Sequence, residues 1–273
     1  MSMRADLYLV EQGYVQSRQR ARNLIESGCV TIDGKTVRKP ALAVSDGAHE
    51  VVVRDELRYV GRGGLKLEAA LDRFGLDVTG KRALDVGAST GGFTDCLLQR
   101  GAQSVCAVDA GVGQLAPSLL SDPRVTSLEH KNARELTLEE IGGICADLIV
   151  MDVSFISATY LIPRFRELLR PAATAICLIK PQFEVGKALL GKGGIVKDRR
   201  AHRLAVERVL DAGLEFGLTP IGLIASPIEG GDGNREFLVH FINQANHADC
   251  LSAEHITEIT GSVSHWRKEK FEC

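Results

Sequence analysis

Five ionisable residues stand in or against short apolar runs. Asp85 lies within Ala83 to Val86. Asp109 closes Ser104 to Val108, Asp152 closes Leu148 to Met151, and Lys180 closes Ala175 to Ile179. Glu236 directly precedes Phe237 to Ile242. After Asp85 comes a glycine-rich turn, Val86-Gly87-Ala88-Ser89-Thr90-Gly91-Gly92-Phe93-Thr94, and Leu97 and Leu98 continue it as a helix. Strand, glycine turn and helix in this order form the nucleotide-binding turn of a doubly wound α/β domain. Asp85 narrows the ligand, because a carboxylate before the loop repels a pyrophosphate. It suits a ligand with positive charge and hydroxyls. S-adenosylmethionine, which carries an ammonium, a sulfonium and a ribose, fits better than a dinucleotide.

In a parallel sheet, ligands bind beyond the carboxyl ends of the strands, so residues at those ends are the informative ones. Asp109 follows Asp85 by 24 residues. That spacing suits a carboxylate holding ribose hydroxyls; the alternative is a helix-capping aspartate. Lys180 directly follows an apolar run and precedes Pro181. A buried ammonium titrates downward, and a lysine neutral near pH 7 is a usable general base. The alternative is a solvated lysine at a loop start. Glu236, taken alone, reads as a solvated edge residue.

Several elements must position these groups. Strands are expected at Ala83 to Val86, Ser104 to Val108, Leu148 to Met151, Ala175 to Ile179, about Ile221 to Ser226, and Phe237 to Ile242. Helices are expected at Thr94 to Arg100, Tyr160 to Leu169 and Arg199 to Phe216. The alternation predicts a parallel sheet. Gly230-Gly231-Asp232-Gly233 predicts a hairpin between the last two strands, with one edge strand antiparallel. Residues 1–57 form a separate small unit. Asp6 to Gln12 is one helix, Ser17 caps a second that Gly28 stops, and Asp33-Gly34 turns between short strands. Residues 58–64 read as a linker, 65–245 as the catalytic domain and 246–273 as a polar tail.

Composition narrows the class. The 273 residues are 45% hydrophobic and 25% charged, with a formal net charge of −2. The chain as a whole is no polycation, so any nucleic-acid surface is a local patch. Residues 164–208 hold eleven Lys/Arg against four acids, and Arg18, Arg20 and Arg22 lie together with no acid between them. Such patches can neutralise phosphates; solvated helix faces are the alternative. The seven cysteines are widely spaced without a C-x-x-C pair, so neither a metal site nor a disulfide framework is expected. No apolar run approaches the roughly 20 residues of a membrane span, and no signal peptide is read at the N-terminus. The expected place is the cytoplasm.

Two resemblances sharpen this reading. Arg4-x-Asp6-x-x-Leu9, Ser17-Arg18-x-x-Ala21 and Ile25-x-x-Gly28-x-Val30-x-Ile32-x-Gly34 resemble the small α+β RNA-binding domain first known from ribosomal protein S4. The resemblance places Arg4, Arg18, Arg20 and Arg22 near phosphate. The glycine turn resembles that of FtsJ-like methyltransferases, with Ser89-Thr90 where many members carry Ala-Pro. Lys131-Asn132-Ala133-Arg134, Asp152 to Ser157 and Lys180 to Glu184, in this domain order, are similar to the TlyA family, some of whose members carry a hemolysin label.

Membership would imply a Rossmann-like class I methyltransferase with a mostly parallel seven-stranded sheet. It would act on ribose 2′-hydroxyls of ribosomal RNA or ribosomal subunits. It would also imply a Lys66, Asp152, Lys180 and Glu236 tetrad. Lys180 would be the base or would hold the developing alkoxide, Lys66 would lower its pKa by like-charge repulsion, and the two carboxylates would orient the lysines while opposing that lowering. Asp85, Gly87, Ser89, Gly91, Gly92, Phe93 and Asp109 would hold the cofactor. Asn132 would lie on its adenine side, and Phe155 would line its pocket or simply belong to the core. A small-molecule methyltransferase and a non-catalytic RNA-binding assembly factor are the rival readings.

Overall fold

A computed structural model describes residues 2–15, 17–26, 28–45, 47, 49–53, 58–230, 233–244 and 250–266. The chain divides into two compact units, Met1–Arg62 and Gly63–Cys273. The expected boundary at residue 57 and the joint residues Gly231 and Asp232 lie outside the described residues.

In the first unit, β1 (Ser2–Arg4), α1 (Ala5–Glu11), α2 (Arg18–Glu26), β2 (Val30–Ile32), β3 (Lys35–Thr36), β4 (Ala43–Ser45) and β5 (Val51–Val53) follow in order. Ser17 Oγ accepts the Arg20 amide at 3.2 Å, which starts α2. Gly28, at φ +73°, ends it in the left-handed region. Asp33 and Gly34 both take positive φ, as the tight turn joining β2 to β3 requires. Strands β1 and β4, absent from the sequence reading, pair with each other. Leu9, Leu24, Ile25 and Val30 fill the core.

Among the described residues of that unit, one carboxylate is buried. Asp6 accepts Arg4 Nε at 2.9 Å and Arg18 Nε at 2.9 Å. The Arg4 hydrogen bond above all, with Arg18 beside it, holds the Asp6 carboxyl down at about 2, against the upward push of burial.

The second unit runs α3 (Gly63–Phe74), β6 (Arg82–Val86), α4 (Gly92–Gln99), β7 (Ser104–Val108), α5 (Pro117–Leu120), β8 (Val125–Leu128), β9 (Ala146–Met151), α6 (Ile162–Leu168), β10 (Leu169–Ile179), α7 (Pro181–Glu184), α8 (Arg199–Glu215), β11 (Thr219–Ala225), β12 (Phe237–Ile242) and α9 (Ala253–Thr260). The seven strands lie in the order β11-β12-β10-β9-β6-β7-β8. Six of them run the same way: β8, β7, β6, β9 and β10 pair directly in parallel, and β11 follows beyond the antiparallel β12. Leu148 to Met151 and Ala175 to Ile179 are buried throughout, as strands covered on both faces must be. Alternation assigns the faces: Leu84 and Val86 join a cluster with Phe165, Val206 and Ile256, while Asp85 points the other way, to Thr94 on α4.

Three expectations change here. The antiparallel strand is β12, and it lies one place in from the edge, paired to both β10 and β11. The seventh strand, β8, escaped the sequence reading because it is a four-residue edge strand of partly exposed residues. The polar tail contributes α9, whose Ile256 is fully buried, and Trp266, whose Nε1 donates to Asp211 at 2.9 Å.

A depressed carboxylate pKa stabilises above the unfolded value and loses that contribution as pH falls through the folded one. Asp6→Asn should therefore destabilise the N-terminal unit by about 1–2 kcal/mol at neutral pH, allowing for the partial exposure of its arginines. Hydrogen exchange of α1 and α2 amides should show that difference closing between the ordinary carboxylate value of 3.8 and about 2.

Candidate active site

Parallel strands deliver their last residues to one sheet edge. Val86 is level with Val108 and Met151, so Gly87, Asp109 and Asp152 emerge together. Strand β10 ends beside them, and Lys180 follows it. Strand β12 runs the other way, with Phe237 opposite Ile179. The residue before Phe237 therefore emerges next to the residue after Ile179. This is how Glu236, at the start of a strand, joins Lys180, at the end of one.

The edge holds two ion pairs. Lys180 Nζ lies 2.6 Å from Asp152 Oδ1 and donates to Ser154 Oγ at 2.8 Å. Lys66, on the first turn of α3, donates to Glu236 Oε2 at 2.5 Å. Lys66 is 7% exposed and Glu236 2%, so each depends on the other for neutralisation. Burial pushes the Glu236 carboxyl above the usual carboxylate range. The Lys66 ammonium opposes that push, Lys180 adds to the opposition, and Asp152 raises it further. All four expected tetrad residues thus feel one another. A Cβ at Gly230 would lie 2.4 Å from Glu236 Oε1, which keeps that position small.

A cavity of about 420 Å³ opens beside the pairs, lined in part by Gly87, Ser89, Asp109, Asn132, Asp152 and Phe155. Gly87, at φ +83°, has no room for a side chain: a Cβ would stand 2.5 Å from the Asp152 carbonyl oxygen. Ser89 takes φ +48° without being glycine. Its amide donates to Asp109 Oδ2 at 2.8 Å and its hydroxyl to Gln114 Oε1 at 3.1 Å. Asp109 also accepts the Gly111 amide at 2.7 Å through Oδ1. Each oxygen keeps a lone pair for a ligand hydroxyl. Asn132 caps the turn that follows it, accepting the Arg134 amide at 3.1 Å.

The structure places other expected residues differently. Asp85 does not line the cavity; it is fully buried and accepts Thr94 Oγ1 at 2.7 Å. Burial pushes its carboxyl up to about 7. It braces the loop–helix junction from beneath. Gly91, Gly92 and Phe93 belong to that junction and also stand outside the cavity lining. Phe155 is no core residue. It is 92% exposed, holds φ +65°, and packs on Phe183 with ring centroids 5.3 Å apart.

Ser154 and Gln114 were missed, since a lone hydroxyl or amide carries no pattern in sequence. Within the basic stretch 164–208, Arg164, Arg170 and Arg203 form ion pairs with Glu167, Asp147 and Glu207. In the first unit, Arg4 and Arg18 clasp Asp6 with their side chains 43% and 51% exposed. Arg22 shares a helix face with Arg18, whereas Arg20, two residues on, points elsewhere. Among the described residues, no group of three or more potential ligands is placed to hold a metal ion, and no helix is long and apolar enough to cross a membrane.

The donor set fits S-adenosylmethionine. A carboxylate at the ribose position, backbone turned inward at Gly87 and Ser89, and a second acid, Asp152, at the mouth suit hydroxyls and positive charge. The sheet and this cavity define a class I, S-adenosylmethionine-dependent methyltransferase. Comparison with known proteins agrees: residues 59–243 match the FtsJ-like methyltransferase model, and residues 3–49 match the S4 domain. The chain is 47% identical over 252 residues to the 16S/23S rRNA (cytidine-2′-O)-methyltransferase TlyA of Mycobacterium tuberculosis, covering 92% of this chain and 93% of that one. It is 40% identical over 240 residues to Hemolysin A of Brachyspira hyodysenteriae, covering 88% and 100%. A solved structure described as a hemolysin from Streptococcus thermophilus superposes with a TM-score of 0.75 at 36% identity, covering 100% of this chain and 99% of that one. The chain belongs to the TlyA family of FtsJ-like methyltransferases.

Gly87→Ala should reduce S-adenosylmethionine affinity by about tenfold or more, because the new methyl displaces the Asp152 carbonyl at the cavity wall. Calorimetric titration measures it, and wild-type affinity would show that the loop does not form the cofactor wall.

Proposed function

We propose that this protein transfers a methyl group from S-adenosylmethionine to a ribose 2′-hydroxyl of ribosomal RNA. The observation that carries the reading is the pair of lysine–carboxylate contacts at the mouth of the cofactor cavity. The Mycobacterium tuberculosis relative is named for this reaction on cytidine.

When bound, S-adenosylmethionine supplies an electrophilic methyl on a sulfonium. The chain must then align a hydroxyl opposite the sulfur and remove its proton. Asp109 accepts the cofactor's ribose hydroxyls, with Gly87 and Ser89 shaping the near wall and Asn132 on the adenine side. Asp85, through Thr94, keeps the loop in place. Lys180 is the group placed to take the 2′-proton, and Asp152 and Ser154 fix the position of its nitrogen. Lys66 and Glu236 form the second pair that sets the charge around it. The exposed face of Phe155 offers a stacking surface to a nucleobase.

The S4-type unit supplies the grip on RNA. Arg4, Arg18, Arg20 and Arg22 approach phosphates, with Arg18 and Arg22 on one helix face. Residues 1–57 act as the RNA-binding part, 58–64 as the linker and 65–245 as the catalytic part. The substrate places the enzyme with ribosomes or their precursors in the cytoplasm.

Lys180→Ala should lower methyl transfer to ribosomal subunits by about 10³-fold while leaving cofactor affinity within about threefold of wild type. Labelled cofactor and mass-spectrometric mapping of the modified nucleotide read both rate and position; near-normal turnover would remove lysine from the base role. Arg18→Ala with Arg22→Ala should weaken RNA binding and reduce the slope of log affinity against log salt by about 2. Methyl transfer to a small acceptor in place of RNA would favour the small-molecule reading.

A further inference from the structure

The short helix α7 grips the segment 152–158 at three points, and only one belongs to the tetrad. Lys180, at its start, holds Asp152 and Ser154. Phe183 packs against Phe155. Glu184, its last residue, reaches the far end of the segment: Oε1 accepts the Ala158 amide at 2.8 Å and Oε2 accepts the Ser157 hydroxyl at 2.5 Å.

Glu184 is 2% exposed. Burial pushes its carboxyl above the usual range, and the Ser157 and Ala158 donors and the Arg208 charge pull against that push. A carboxylate withdrawn from water needs such donors, and here both bonds go to one loop. Arg208 in turn donates to the Glu184 backbone carbonyl, anchoring α7 to α8. Ser157 accepts the Thr159 amide at 3.2 Å and so starts the short turn at 158–160. At the other end, the Asp152 amide donates to the Val86 carbonyl at 3.0 Å. Between these fixed ends sit Ser154, which holds Lys180, and Phe155, which keeps a backbone conformation that aromatic residues rarely adopt. Relaxation of Phe155 would swing Ser154 away from Lys180.

We infer that Glu184 is a positioning residue of the methyl-transfer site. By clasping Ser157 and Ala158 it keeps Ser154 against Lys180 and Phe155 at the cavity mouth, without touching substrate itself. This rests on the methyl-transfer reading above.

The test compares Glu184→Ala and Glu184→Gln in the full chain. Glutamine keeps an oxygen for the Ala158 amide and offers a donor to Ser157 Oγ, whose own proton can turn to Thr159 Oγ1, 2.7 Å away. In the alanine variant, amides 153–158 should exchange about tenfold faster or more, while those of β10 and α8 keep wild-type rates. Its kcat should fall about tenfold or more with a shifted acid limb in the pH profile, because Ser154 no longer holds Lys180. Glutamine should restore both to within about threefold. Unchanged exchange at 153–158 would overturn the inference. So would a fall in kcat with an unmoved pH profile and faster exchange across the whole domain, which marks general destabilisation. Exchange is read without substrate, so a wild-type protein that fails to methylate ribose refutes the function while leaving the positioning measurable.

Discussion

A lysine and a glutamate taken out of water remain ions only if they face each other. Lys66 and Glu236 meet that condition across 170 residues of sequence, and the arrangement of the catalytic domain follows from the need to bring them together. An uncompensated charge at that depth would cost several kcal/mol. The first helix must therefore present Lys66 to the sheet edge, and the last strand must begin, not end, there. Inserting β12 antiparallel between β10 and β11 does so. A seventh strand running parallel to the others would have carried Glu236 to the opposite edge, far from Lys180. Topology and electrostatics here express the same constraint.

The glycine turn obeys a second, steric constraint. Gly87 lies against the Asp152 backbone so closely that even a methyl group would collide with it. The glycine turn and the Asp152 backbone are thus one packed unit. Asp85 works beneath it. The pleat of β6 sends its side chain to the α4 face, away from the cavity, where Thr94 satisfies one oxygen. Asp85 braces the loop from the helix side. The same strand carries Leu84 and Val86 into the opposite core, so one five-residue strand fixes both layers relative to the site.

These constraints explain which residues could be read in sequence. Asp109, Asp152 and Lys180 were legible because a parallel sheet converts the end of an apolar run into a site position. Glu236 and Lys66 were not, since their roles depend on strand order and on a contact between distant segments. Lys66 entered through resemblance alone, and Glu236, taken alone, read as a solvated edge residue. Spacing locates Asp85 along its strand, whereas the face it takes, toward Thr94, is set by alternation. Strand β8 and helix α9 were invisible for a related reason. Their residues look polar and short in isolation, and Ile256 and Trp266 acquire meaning only against α8 and β11. Glu184 closes the segment Lys180 to Glu184, yet nothing in its type distinguishes a buried clasp from a solvated helix end.

The N-terminal unit shows the same economy with opposite signs. Asp6 is buried and would be costly alone, so Arg4 and Arg18 neutralise it. Both arginines were expected at RNA, and the clasp leaves each of them partly open to solvent. A guanidinium has five donors in a rigid fork; Arg18 engages Asp6 through Nε while half of its side chain stays open to solvent. Fixing one edge of the fork restricts the rotamers before any phosphate arrives, which lowers the ordering cost of binding. The buried carboxylate thus holds two cations in place at the surface of the unit.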